Sequence, residues 1–282
     1  MIHLLILSLL QYVIFFNNVL AVKHESHLSN QLQVLISNKH YEMQHVPIEK
    51  VDVFKRAFSF KENTGIYVSQ FSDYGMTGYA IDKFSESENN RNHYIERPQG
   101  MPVKYLIMHY THENFFNTAQ IFTANKSLGQ VSSHLVITEK EVEGTPGGIL
   151  VSFVPENQIA YHAGISFWKN DTGLNALSIG IEHVNKGINI QNKTKKWVHY
   201  DEHQITASGI VSSGIVKRYN INPTCVLGHS DIAYNRKIDP GPLFPWGRLY
   251  HEYGVGAWLT DAELNSQYIR EKYNPKFLIQ KT

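Results

Sequence analysis

The sequence predicts a mixed α/β fold, with a single central mixed β-sheet flanked by helices. Three observations predict it. Val103 to Tyr110 is apolar almost throughout, as a buried strand should be. Leu177 to Val184 alternates, with Leu177, Ile179 and Ile181 facing one way and Ser178, Gly180 and Glu182 the other. From Asp201 to about Tyr219, Ile205, Ser208, Val211 and Ile215 form one stripe behind a residue suited to cap a helix. Strands and helices interleaved in this way layer around one sheet.

The elements follow in chain order. Ile2 to Phe16 is mostly apolar, broken only by His3, Ser8 and Gln11. The run falls short of the ~20 residues of a membrane span and suits the core of a signal peptide cut after Ala21. No Lys or Arg precedes it, Lys23 being the first, so an uncleaved anchor is the other reading. A periplasmic or secreted protein with no stable membrane span is the expectation. Residues 22–78 form an extension of open role, with a short helix expected over Leu28 to Ile36 and a strand over Gly65 to Ser69. Phe84 to Gly100, rich in Ser, Asn, Arg and Pro, reads as a loop. Phe115, Ala119 and Phe122 fall at helical spacing within Asn114 to Ala124. His134 to Thr138, Gly148 to Val154, Gln158 to His162 and Pro223 to Leu227 are strand-like, while Pro245 to Tyr253 and Asp261 to Tyr273 read as helices.

Composition narrows the function. The 26 basic and 25 acidic residues nearly cancel, which argues against a nucleic-acid partner. A single cysteine, Cys225, excludes an internal disulfide framework and a cysteine-held zinc ribbon. Any zinc must therefore be held by nitrogen and oxygen.

Those donors are present. Gly228-His229-Ser230-Asp231 leads to Asp239-Pro240-Gly241-Pro242, with Lys237 two residues before the carboxylate, and His109 ends the upstream apolar run. Two imidazoles and a carboxylate hold a hydrolytic zinc and leave a position open for water. Glu182, opposite the aliphatic face of its strand, is the candidate general base, and Lys237 the cation for a developing oxyanion. Each residue has a second reading. His109 and His229 suit hydrogen-bonded core positions, Asp239 a turn that caps its own backbone, Glu182 an exposed strand face and Lys237 a solvated charge.

The ordered segments Tyr105-Leu106-Ile107-Met108-His109-Tyr110-Thr111, Val131-Ser132-Ser133-His134-Leu135-Val136-Ile137, Ala160-Tyr161-His162-Ala163-Gly164, Ser178-Ile179-Gly180-Ile181-Glu182, Gly228-His229-Ser230-Asp231-Ile232-Ala233 and Arg236 to Trp246 resemble the zinc-dependent N-acetylmuramoyl-L-alanine amidases of type 2. That family is related to the peptidoglycan recognition proteins. The resemblance runs over about 79–258, and His162 to Trp168 with Asp239 to Trp246 is similar to the periplasmic branch that accepts anhydro-muropeptides. It implies the family's fold, a zinc amidase catalytic domain over 79–258, zinc ligands His109, His229 and Asp239, catalytic Glu182 and Lys237, and a peptidoglycan or muropeptide substrate. It also implies substrate contact for His162 and a structural role for His134. Arg236 has two readings, a partner for a stem-peptide carboxylate or a solvated arginine. Leu135 stands in place of an aromatic residue and Tyr234 in place of a frequent proline, neither at a ligand position. Residues 259–282 are expected as a helical tail, too short for the separate wall-binding module of some relatives.

Two other functions compete with hydrolysis of the muramoyl–L-alanine amide. One is a peptidoglycan-binding module without catalysis, against which stands the full set of ligand and auxiliary residues. The other is a zinc peptidase, for which an H-E-x-x-H helix would speak; the sequence has none.

Overall fold

The computed structural model describes residues 67–73, 76–83, 92–123, 130–139, 147–191 and 194–268. The expected signal peptide, the 28–36 helix and the chain beyond 268 lie outside those residues.

Seven strands make the central sheet: β1 (Tyr67–Asp73), β2 (Met76–Lys83), β4 (Tyr105–Tyr110), β5 (Leu135–Ile137), β6 (Leu150–Ser152), β10 (Ser178–His183) and β13 (Val226–Gly228). Their order is β1-β2-β6-β5-β10-β4-β13. The sheet is mixed as expected, antiparallel at β1/β2 and β5/β6 and parallel across β5, β10, β4 and β13. Three two-stranded ribbons surround it: β3 (Tyr94–Glu96) with β7 (Gln158–Ala160), β8 (Phe167–Trp168) with β9 (Asp171–Thr172), and β11 (Ile188–Gln191) with β12 (Thr194–Trp197).

Burial explains the central strands. All six residues of β4 are buried, as a strand covered on both faces requires. In β5, Leu135 and Ile137 pack into one apolar cluster with Leu106, Met108, Ile179 and Ile181. Val136 turns the other way, into a second cluster with Val151 and Phe153. A helix covers each cluster. α1 (Phe115–Thr123) seals the second with Phe115, Ala119 and Phe122, and Phe122 meets Phe153 edge to face at 5.3 Å between ring centroids.

α2 (Glu202–Tyr219) seals the first with Ile205, Val211 and Ile215. It starts where expected, because the Asp201 side chain accepts from the His203 N–H at 2.9 Å. It stops where Asn220 turns left-handed, at φ 51°, a conformation asparagine tolerates. The buried Gln204 amide pins this helix to the sheet by donating to the Ile137 and Val184 carbonyls at 2.9 and 3.0 Å.

The structure departs from expectation in three places. The described part of the 84–100 loop contains β3, whose residues are all exposed and so carry no apolar pattern. Pro223–Cys225 is a 3-10 turn, with Pro223 in its first turn and the Asn222 side chain accepting from Thr224 N–H, and the strand begins only at Val226. Gln158–Ala160 pairs with β3 outside the main sheet. Beyond α2 come α3 (His229–Ile232), α4 (Trp246–Tyr253) and α5 (Asp261–Asn265), the last ending at the extended Ser266 and so shorter than the helix expected to run to Tyr273.

Candidate metal centre

Three neighbouring parallel strands, β10, β4 and β13, end at the same edge of the sheet. Glu182 is directly registered with His109. Gly228 is registered with Met108, so His229 leaves β13 level with His109. Sheets of this kind place their ligands at the carboxyl ends of such strands. Side-chain alternation puts His109 and Glu182 on the face turned away from α2.

Asp239 reaches the same spot through a tight reversal. The Asp231 carboxylate accepts from the Gly228 N–H at 2.8 Å and so caps the single turn of α3. Arg236 and Lys237 N–H then return to the Ala233 carbonyl, and Ser230 N–H donates to the Asp239 carbonyl at 2.9 Å. The Tyr200 hydroxyl holds the next residue by donating to the Pro240 carbonyl at 2.7 Å. Glycine is required at 228, because a Cβ there would sit 2.7 Å from the Pro240 ring.

The result is a compact triad. His109 Nδ1 and His229 Nδ1 lie 3.0 Å apart, and each lies 3.1 Å from Asp239 Oδ2. The three residues are 1, 3 and 7 % exposed. Among the described residues, they are the group of histidine and acidic side chains able to share one ion. Ligand bonds of ~2.0–2.2 Å suit three atoms so spaced. The ring of His229 is also turned to ligate, since its Nε2 faces the Ala163 carbonyl at 3.1 Å. A carbonyl only accepts, so that nitrogen carries the proton and the neutral ring turns a bare Nδ1 toward the other two groups. The donor set therefore fits a metal ion.

Glu182 is half-buried beside the triad, and its Oε2 is buried with no hydrogen-bond partner among the described residues. Burial, reinforced by the Asp239 charge, pushes its carboxyl well above the usual range, while the Lys237 ammonium opposes the shift. A carboxyl so raised holds a proton more readily than a free glutamate, as a proton-carrying group must. Lys237 is itself exposed, close enough for its charge to disfavour protonation of His109 as well.

Of the remaining histidine and arginine positions, His162 and His134 are buried and Arg236 is exposed. His162 is buried, with Nδ1 3.0 Å from His109 Nε2 and Nε2 3.1 Å from Ser178 Oγ. Arg236 Nη2 donates to the carbonyls of Ala163 and Ile165, both at 2.8 Å, tying its loop to residues 163–165. His134 is fully buried, accepting from the Gly180 N–H at 3.0 Å and facing the Gln158 carbonyl at 3.2 Å.

Sequence reasoning missed two supporting residues. Asn175 Oδ1 accepts from the backbone N–H groups of His162, Ala163 and Gly164, and nothing local to Asn175 announces that role. Ser178, which meets His162, was within reach. The alternation that selects Glu182 puts Ser178 on the same face.

Fold and site together define a mixed α/β protein with a buried centre able to hold a metal ion. A family model described as N-acetylmuramoyl-L-alanine amidase matches residues 99–242, and the chain belongs to that family of type 2 amidases. It is 39% identical over 165 residues to N-acetylmuramoyl-L-alanine amidase AmiD of Escherichia coli, covering 58% of this chain and 57% of the relative. It is 35% identical over 103 residues to 1,6-anhydro-N-acetylmuramyl-L-alanine amidase AmpD of Enterobacter cloacae, covering 36% and 50%. The chain thus spans little more than half the length of these curated relatives. Among solved structures it is similar to AmpDh3 from Pseudomonas aeruginosa in complex with anhydromuramic pentapeptide, with a TM-score of 0.53, 33% identity and coverage of 68% of this chain and 75% of that one. It is also similar to AmiD of Escherichia coli in complex with the substrate anhydro-N-acetylmuramic acid-L-Ala-D-gamma-Glu-L-Lys, with a TM-score of 0.50, 37% identity and coverage of 60% and 65%.

Proposed function

We propose that this chain is a zinc-dependent amidase. It hydrolyses the bond between the lactyl carbonyl of N-acetylmuramic acid, or its anhydro form, and the L-alanine nitrogen of the stem peptide. The observation that carries this reading is the triad of His109, His229 and Asp239 with the buried Oε2 of Glu182 at its side, unpartnered among the described residues. Zinc bound there supplies Lewis acidity, lowering the pKa of bound water to about 7 and polarising the scissile carbonyl.

The rest falls to the chain's own groups. Glu182, with Oε2 unbonded, accepts the proton of the attacking water and returns it to the departing alanine nitrogen. Lys237, at the solvent edge, offsets the negative charge that develops on the carbonyl oxygen. Arg236 holds the 163–165 loop against the 236–239 loop. The proposed organisation is a signal peptide over 1–21, an extension over 22–78 whose last residues add β1 and the start of β2 to the central sheet, the catalytic domain over 79–258 and a tail over 259–282, in a periplasmic or secreted protein. Among the described residues, no helix is long and apolar enough to cross a membrane.

Mass spectrometry of muropeptide digests tests the activity. The zinc-loaded protein is expected to release intact stem peptide and peptide-free sugar. Fragments split within the peptide would make it a peptidase instead, and unchanged muropeptide would reduce it to a binding module.

A further inference from the structure

His162 is buried beside the triad, with both ring nitrogens committed. Its surroundings fix where its proton resides. The Ser178 hydroxyl has one hydrogen, and a contact of 2.6 Å sends it to the Leu174 carbonyl. Toward His162, 3.1 Å away, Ser178 can then only accept, so His162 Nε2 is the N–H. A neutral ring protonated there has a bare Nδ1. That atom faces His109 Nε2 at 3.0 Å, which must carry the hydrogen between them. His109 Nδ1 is thereby left bare, and it is the atom that faces His229 and Asp239.

We propose that His162 is a positioning residue of the metal centre: anchored by Ser178, it holds His109 in the one tautomer that can ligate. The inference rests on the reading of His109, His229 and Asp239 as metal ligands. The alternative tautomer has a specific cost. With hydrogen on His109 Nδ1, His162 would have to donate from its own Nδ1 and accept from Ser178. Ser178 would then give up its short bond to the Leu174 carbonyl. The ring is also held in place. His162 lies against the backbone of β10 so closely that a Cβ at Gly180 would come within 2.6 Å of its Cγ and Nδ1. His134 packs edge-on to it at 5.5 Å. Its own N–H donates to Asn175 Oδ1 at 3.0 Å.

The test is zinc affinity of the full chain, measured by competition with a chromogenic chelator. His162→Phe keeps a ring but no acceptor and is expected to bind zinc about 10–100-fold more weakly, the usual effect of losing an outer hydrogen bond to a ligating histidine. His162→Asn, whose amide oxygen takes the place of Nδ1, should recover most of that loss. Ser178→Ala, which touches neither metal nor cleft, should also weaken binding. Unchanged affinity in His162→Phe, with only KM raised, would make His162 a substrate contact and overturn the inference. Failure of the parent protein to bind zinc would overturn the metal reading itself. Should His162→Phe not fold, nitrogen-15 spectra of the zinc-loaded parent decide: His162 protonated at Nε2 alone is expected, and a proton on its Nδ1 would refute the proposal.

Discussion

Glu182 and His109 share one register position on adjacent strands, yet the structure gives them different work. Glu182 contributes no atom to the triad, so its removal should leave the metal in place. Glu182→Gln is expected to retain stoichiometric zinc by elemental analysis while kcat falls by about 10²–10⁴-fold, the usual contribution of general acid–base groups. Loss of zinc in that variant would place Glu182 among the ligands. Asp239→Ala should behave oppositely in the metal assay. Its Oδ2 lies 3.1 Å from both imidazole Nδ1 atoms, so both zinc and activity should vanish together. Retained zinc would mean that two histidines and some other group suffice. At this scale the sequence already named the three groups that converge, His109, His229 and Asp239. A motif position conveyed that His162 lies near this group but not which way its ring nitrogens face, toward His109 and Ser178.

Strands and helices with a covered face were legible because burial writes a period into the sequence. β4 reads as continuous apolar residues, β10 as alternation and α2 as a stripe behind Asp201. The cap gives a direct check. Asp201→Ala removes the acceptor for the His203 N–H and should cost about 1 kcal/mol, read as a fall of a few degrees in melting temperature. No change would mean that α2 is held by its packing and the Gln204 bonds alone. The elements that escaped are the short ribbons. β12 (Thr194–Trp197) has three exposed residues of four, and β3 has none buried. Their pairing is set by backbone hydrogen bonds, which leave no apolar pattern to read.

The whole molecule keeps several imidazoles out of water. Burial lowers His134 to about 3 and His183 to about 4, against an ordinary value of 6.5, despite bonds to the Gln158 and His109 carbonyls that favour the charged form. The folded state therefore keeps both neutral over a range in which the unfolded chain protonates them. Their contribution is full above about pH 6.5 and drains away as pH falls toward 4, because the unfolded state binds the extra protons there. Melting temperature in the presence of a chelator should accordingly decline through that interval. A flat profile would show that these rings become charged without unfolding. His183 adds a structural link, facing the His109 carbonyl on one side and the Ser208 hydroxyl of α2 on the other. Sheet, helix and metal centre are thus one connected unit.

Residue type and periodicity alone determined the mixed α/β class, the central strands, the capped helix and the set of His109, Glu182, His229 and Asp239 as chemistry-bearing groups. Tertiary structure alone decided which nitrogen of each imidazole faces the centre, that Arg236 braces a loop, and that Asn175 and Ser178 support the site. The physical reason is that burial repeats along the chain and leaves a pattern, whereas a hydrogen bond between His109 and His162, or between Asn175 and the 162–164 backbone, joins residues with no periodic relation. Only folding brings such pairs within 3 Å.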